Sequence, residues 1–224
     1  YGVKRRTSLI HTTRNDHIYE DRHLKPDLIL KYGDVTDFSN TFNIISDTKP
    51  DEVYNLAAQS NVGVSFELAE YTAQTDSIGT LRILEALRII DKKRKTKFYQ
   101  ASTSEMFGDA GYPQNESTPF NPQSPYAESK LKEEEHIQRF CEDMGLKACI
   151  FRFGTIFGIS PGIRFHTAVN KFCFSAATNE PVSVYKTALD QYRPYLSIKD
   201  AFKVFKFCIE KDFFKNDIFR YESH

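Results

Sequence analysis

The sequence predicts an α/β fold, a doubly wound parallel sheet with helices on both faces. Three observations carry this. Short β-rich runs alternate with segments of helical periodicity in the order βαβαβαβ. The β-rich runs end in small or polar residues, as strands do where an α/β protein keeps its loops. No repeat and no low-complexity linker divides the chain, so the looser pattern after Gly154 belongs to the same compact unit.

The elements follow in order. "DLILKYGDVTD" predicts a strand running into a polar turn, and "FSNTFNIISDT" spaces Phe38, Phe42 and Ile45 along one helix face. "DEVYNLAAQ" predicts a second strand over Val53 to Leu56, and the long pattern "LAEYTAQTDSIGTLRILEALRII" a helix. "KFYQAST" is a third strand. In "SPYAESKLKEEEHIQRFCEDMG" Ser124 is a candidate N-cap, Pro125 sits in the first turn and Gly145 ends the helix. "KACIFRFG" predicts another strand. Beyond it come the glycines of "GTIFGISPG" (Gly154, Gly158 and Gly162), read as a substrate loop, and a helix near Thr167 to Ala177. A short strand "VSVYKT" follows, and "RPYLSIKDAFKVFKFCIEK" reads as turn, strand and amphipathic helix.

Composition excludes several classes. The 224 residues carry 30 basic and 30 acidic side chains, which gives no support for a nucleic-acid or anionic-membrane partner. The basic run "DKKRKTK" reads as a solvated helix end. Cys141, Cys149, Cys173 and Cys208 form no CxxC or paired Cys/His spacing, so no metal site is expected; they read as small buried thiols of a reducing compartment. No apolar run approaches the ~20 residues of a membrane span, and no signal peptide is seen. A cytoplasmic protein is expected.

The chemistry is carried by "ASTSEMFG" and "SPYAESK". Tyr126 and Lys130 are four apart and share a helix face. A phenol titrates near ~10 and is a poor base at neutral pH, but a neighbouring ammonium favours the phenolate. Such a pair shuttles a proton to and from an alcohol oxygen. Thr103, at the end of its strand, would hydrogen-bond that same oxygen, and Glu105 adds a carboxylate two residues on. His136 and His166 read as ordinary surface or helix-end residues, and no Ser-His-Asp grouping is present.

A strand-end Thr followed about twenty residues later by YxxxK resembles the extended short-chain dehydrogenase/reductases that act on nucleotide sugars. The stretches "YGVKRRTS", "DHIYED", "YGDVTD", "PDEVYNLAAQSNVGVSFELAEYTAQTDSIGTLRILEA" and "FYQASTSEMFG" resemble the GDP-mannose 4,6-dehydratase branch. After Lys130, "RFGTIFGISPGIRFHTAVNKF" and "ALDQYRPYLSIKDA" look more like other nucleotide-sugar epimerases and dehydratases.

The resemblance implies a Rossmann-type core that begins at its second strand, without the first strand and its glycine loop. The chain indeed has no GxGxxG or GxxGxxG in the right place. Loss of a central strand should leave a gap in the sheet with unpaired backbone groups. Residues 1–153 would form the truncated cofactor-binding core. Residues 154–224 would form a substrate-binding part, interleaved with the last strands of the core. Arg5 and Arg6, after the first strand present, favour NADP over the alternative NAD. Asp34 and Val35 match the adenine contact, and Leu56, Ala57 and Ala58 the strand end where the cofactor passes close to the backbone. Tyr126 and Lys130 would also touch the cofactor.

By the same resemblance Thr103, Glu105, Tyr126 and Lys130 are catalytic, Ser104 touches the substrate, and Arg193 clamps its diphosphate with a guanidinium fork. Glu105 would take the C5 proton in a 4,6-dehydratase. UDP-glucuronate decarboxylases share Thr-Ser-Glu and need a cation for the sugar carboxylate, for which Arg152 or Arg193 is available. A 4-epimerase needs no carboxylate at Glu105. A chain that folds but holds no cofactor is the alternative of another class. A homo-oligomer is expected.

Overall fold

The computed structural model describes residues 1–7, 14–19, 27–93, 95–211 and 219–222. Strands β1 (Gly2–Lys4) and β2 (Leu30–Tyr32) form one parallel pair, Gly2 opposite Leu30. Strands β3 (Glu52–Asn55), β4 (Lys97–Thr103), β5 (Lys147–Phe153) and β8 (Phe219–Glu222) form a parallel sheet in that order. A third parallel pair joins β6 (Thr155–Phe157) to β7 (Tyr195–Ser197).

Among the described residues the β1–β2 pair and the four-stranded sheet share no ladder. A cavity of about 1110 Å³ is lined by Gly2 and Val3 of β1 and by Val53, Tyr54 and Asn55 of β3.

Helices cover both faces of the larger sheet. Alternate residues of β4 and β5 point to opposite sides. Phe98, Ala148 and Ile150 pack with Ile45 of α1 (Phe38–Thr48), Leu84 and Leu87 of α4 (Ser77–Ile90) and Ile137 and Phe140 of α5 (Pro125–Met144). Tyr99, Cys149, Phe151 and Phe153 pack on Ala201 and Cys208 of α7 (Ile198–Lys211). Strand β5 is buried on both sides over 148–153, as a central parallel strand must be.

Helix α5 takes the ends its sequence predicts. The Ser124 hydroxyl accepts from the Ala127 N–H at 3.1 Å, Pro125 opens the first turn, and Gly145 turns left-handed at φ 66°. Helix α6 spans Ala168–Ala177, close to the expected bounds.

Four expectations are corrected. The predicted strand over Val53 to Leu56 ends at Asn55, and Leu56 is exposed. The long helical pattern divides into α2 (Val62–Glu67), α3 (Ala69–Thr75) and α4. Backbone hydrogen bonds run through both junctions, Thr72 to Leu68 at 2.9 Å and Thr80 to Asp76 at 3.1 Å, while the Asp76 carboxylate is drawn sideways to the Gln59 N–H at 2.7 Å. "VSVYKT" forms no strand: Val182, Val184 and Tyr185 are exposed, and the segment ends in a 3-10 turn at Lys186–Ala188. Its alternation has no surface to bury against. Of the cysteines, Cys149 and Cys208 are buried as expected, but Cys173 is exposed.

Candidate active site

Strand β4 ends at Thr103, and the chain turns at once through a 3-10 turn, Ser104–Phe107. The Thr103 hydroxyl caps that turn, accepting from the Glu105 N–H at 3.2 Å. Gly108 closes it at φ 57°, where a β-carbon would fall 2.0 Å from the Asn121 carbonyl oxygen, so only glycine fits. Met106 and Phe107 are buried and anchor the turn; Ser104 and Glu105 stay half-exposed at the strand end.

The first turns of α5 bring Tyr126 and Lys130 to this strand end, with the Thr103 side chain facing the Tyr126 hydroxyl. Tyr126 is 8% exposed and Lys130 1%. The Lys130 ammonium donates to the Ala101 carbonyl at 2.7 Å and to Glu133 Oε2 at 2.6 Å. The expected lowering of the Tyr126 pKa does not prevail. Burial raises it, Lys130 and Thr103 pull it down, Glu133 and Asp76 push it up, and the net direction is upward. Burial draws Lys130 down, but the charges of Glu133 and Tyr126 more than offset this and hold it above its ordinary value.

Arg193 reaches toward the same turn, its Nη1 3.7 Å from Glu105 Oε1, both side chains part-exposed. Arg152 does not face this opening. It is fully buried, donates from Nη2 to Glu134 Oε2 at 2.7 Å and from Nε to Glu134 Oε1 at 3.0 Å, and lies over the Phe120 ring at 4.6 Å. That removes it as a partner for a sugar carboxylate. His136 is half-buried beside Ser77 Oγ at 3.3 Å, and His166 is exposed.

The residues expected at a dinucleotide gather elsewhere, around the cavity between β1 and β3. Arg5, Asp34, Val35, Leu56, Ala57 and Ala58 line it. Arg6 does not; its guanidinium lies over the Tyr32 ring at 5.4 Å. Arg5 donates to the Tyr71 hydroxyl at 2.5 Å, and Asp34 accepts from the N–H and hydroxyl of Thr36 at 2.9 and 2.7 Å. Thr103, Glu105, Tyr126 and Lys130 are not part of the cavity wall. A buried side-chain chain connects the two regions: Asn55, on the wall, donates to Gln100 Oε1 at 2.9 Å, and Gln100 donates to Glu133 Oε2 at 2.8 Å.

Sequence reasoning missed Gln100, Asp76 and Glu133. Glu133 sits three residues after Lys130 in a charged run, and the only sequence signal was that i, i+3 spacing. Among the described residues no cluster of His, Cys, Asp and Glu could hold a metal ion, and no helix is long and apolar enough to cross a membrane.

Solved structures share this fold. One is DesIV, a dTDP-glucose 4,6-dehydratase of Streptomyces venezuelae solved with NAD and TYD bound. It superposes with a TM-score of 0.73 at 20% identity, over 88% of this chain and 59% of that one. UDP-glucuronic acid 4-epimerase of Bacillus cereus gives 0.76 at 22% identity, over 95% of this chain and 64% of that one. By sequence, the chain is 52% identical over 151 residues to GDP-mannose 4,6-dehydratase of Vibrio cholerae, 66% of this chain and 41% of the relative. It is 41% identical over 218 residues to the Yersinia enterocolitica enzyme of the same name, 95% of this chain and 58% of the relative. The chain thus spans about half the length of the curated relatives it matches. The family profile described as GDP-mannose 4,6 dehydratase matches residues 1–220, through the stretch after Lys130 where motif likeness thins, and the chain belongs to that family.

Proposed function

We propose that the chain is the cofactor- and sugar-handling core of a nucleotide-sugar 4,6-dehydratase that converts GDP-mannose to its 4-keto-6-deoxy product with NADP. The observation that carries this is the grouping of Thr103, Glu105, Tyr126 and Lys130 at the end of β4, in a chain of this family. Residues 1–153 act as the core and residues 154–224 contribute the substrate side.

The residues present fit two ends of a nicotinamide dinucleotide. Arg5, Asp34 and Val35 would hold the adenosine end, and Ala57 and Ala58, with small side chains on the cavity wall, leave backbone accessible to the middle. Tyr126 and Lys130 would meet the nicotinamide end. Arg5 favours a 2′-phosphate, hence NADP over NAD. A nicotinamide held there would supply hydride transfer, out from C4 of the sugar and back to C6.

The chain's own residues handle protons and position. Thr103 would hold the C4 hydroxyl while Tyr126 takes its proton. The 4-keto group acidifies the C5 hydrogen, and Glu105 removes it as a base. Water would then leave from C6, the departing hydroxide taking the proton held on Glu105, and C5 would regain a proton from solvent as hydride returns to C6. Arg193, close to Glu105, would bind the diphosphate.

The test uses GDP-mannose and NADP in deuterated water. Tyr126→Phe should abolish C4 oxidation and all that follows. Glu105→Gln should keep C4 oxidation but slow water loss by at least the ~10² that acid–base catalysis supplies, and suppress deuterium entry at C5. Unchanged turnover and exchange in Glu105→Gln would overturn the assignment. CO₂ release from a sugar acid would point to a decarboxylase instead, and product without C5 exchange to a 4-epimerase.

A second reading, a chain that folds but does not itself hold the cofactor, is favoured by one observation: no GxGxxG or GxxGxxG turn is available to cradle a pyrophosphate. Calorimetric titration decides it. Binding of NADP with Kd at or below about 1 μM removes this reading.

A further inference from the structure

Helix α5 carries three consecutive glutamates after Lys132, a pattern that reads as a solvated face. Only Glu135 is exposed; Glu133 is fully buried. Glu133 Oε2 accepts from Lys130 at 2.6 Å and from Gln100 Nε2 at 2.8 Å. Gln100 is itself held by Asn55, whose Nδ2 also donates to Thr80 Oγ1 at 2.9 Å. Glu133 Oε1 has no partner in hydrogen-bond geometry, although Thr80 faces the carboxylate. A buried carboxylate is a poor stabiliser: an apolar residue of similar size does as well or better for the fold. Its position, three residues from Lys130 and seven from Tyr126 on one helix face, gives it another use.

We propose that Glu133 is a positioning residue for the Tyr126–Lys130 pair, fixing the ammonium at the end of β4 and setting how much of its charge acts on the Tyr126 hydroxyl. This rests on Tyr126 being the proton carrier. The groups facing Tyr126 are Lys130 and Glu133 of α5, Thr103 of β4 and Asp76 at the α3–α4 junction; those facing Glu133 are Lys130, Asp76, Thr80 and Gln100. With both carboxylates ionised the cluster carries one positive and two negative charges, and a phenolate would add a third negative. With Glu133 protonated or replaced by an amide, the cluster is neutral and the phenolate is easier to form. Burial pushes Glu133 up to about 7, against the pull of Lys130, so the change of state falls near neutral pH.

The test reads chemical shifts of the full chain labelled with ¹³C at tyrosine Cζ and glutamate Cδ. Tyr126→Phe and Glu133→Gln assign the two signals. In the unaltered chain the Tyr126 signal should step as the pH passes through about 7, in parallel with the Glu133 carboxyl signal. Glu133→Gln should abolish that step and lower the pKa of Tyr126 by about one unit or more. Glu133→Asp, which keeps a carboxyl group, should keep a step. A purely structural role would lower stability and leave the Tyr126 titration where it was. Absence of the step in the unaltered chain, which needs no variant to fold, overturns the proposal; so does an unchanged Tyr126 pKa in Glu133→Gln. The readout is independent of turnover, so failure to dehydrate GDP-mannose would sink the functional proposal and leave this one standing.

Discussion

Raising the pH from about 5 to about 8 should weaken this fold, and Glu133→Gln should remove much of the effect. Burial pushes Glu133 up to about 7 and Asp76 up to about 6. In the unfolded chain the same groups titrate near ~4.3 and ~3.9. Between those values the folded state holds protons that the unfolded state has released. Stability is therefore fully present below the unfolded pKa and is lost as pH rises through the folded one. A tenfold difference in proton affinity between the two states is worth about 1.4 kcal/mol, so above pH 5, with about two units left to cross for Glu133 and about one for Asp76, the two account for roughly 3 and roughly 1 kcal/mol. Both carboxyls share Lys130, so their protons are not lost independently, and the combined change over this range is about 2–4 kcal/mol. Against a total of ~5–15 kcal/mol that is large. His136 opposes it weakly: burial lowers its pKa, so its contribution is lost as the pH falls below ~6.5. Urea unfolding followed by far-UV circular dichroism across this pH range supplies the measurement. The unaltered chain should lose stability toward high pH, and Glu133→Gln should give a profile flatter by about 3 kcal/mol. Parallel profiles, or a stability that rises with pH, would refute the reasoning.

Two further outcomes can be checked. Glu134→Gln removes the carboxylate charge that Arg152 is paired with and should cost about 3–5 kcal/mol, whereas Arg152→Met with Glu134→Leu should recover most of that; equal losses in the two, by denaturant titration, would mean that the pair does not act as a unit. Arg5→Ala should reduce preference for NADP over NAD by roughly ten- to a hundredfold, and Arg6→Ala should do less, because Arg5 lines the cavity and Arg6 lies over Tyr32; equal affinity of the unaltered protein for the two cofactors, by calorimetry, would sink the assignment.

What was legible in the sequence was local. The cap, the proline and the terminal glycine of α5 each act within a few residues, and all three stand where the pattern put them. Strands β4 and β5 match their β-rich runs because each is mostly buried on both faces and rich in aromatic and β-branched residues, buried Gln100 and Arg152 being the exceptions. The Tyr126–Lys130 pair follows from helical spacing alone. "VSVYKT" failed for the complementary reason: alternation makes a strand only when a neighbour pairs with it and a core takes its apolar side. The surroundings of Lys130 were illegible because they come from four elements. Glu133 is on α5, Gln100 on β4, Asn55 on β3 and Thr80 on α4. Nothing within the run "KLKEEEHIQR" tells which glutamate is inside.

The net rise of the Tyr126 pKa follows from the same burial that makes the pair useful. An exposed Tyr–Lys pair would have its attraction screened by water, and the ammonium would wander on its four-carbon stem. Burial removes the screening and the wandering together, since Lys130 is tied to the Ala101 carbonyl and to Glu133. It also penalises the phenolate, and it admits a buried ammonium only with a counter-charge close by. Glu133 is that counter-charge, and it necessarily subtracts from what Lys130 can offer Tyr126. A strong proton-transfer pair in this setting therefore needs the negative charge to be reduced or outweighed when the chemistry begins. The two ways the cluster allows are protonation of a carboxyl, near neutral pH for Glu133, and the approach of a group that draws Lys130 away from it. In either case, if Tyr126 carries the proton as proposed, the state of Glu133, rather than the Tyr126–Lys130 spacing, would decide when the tyrosine works.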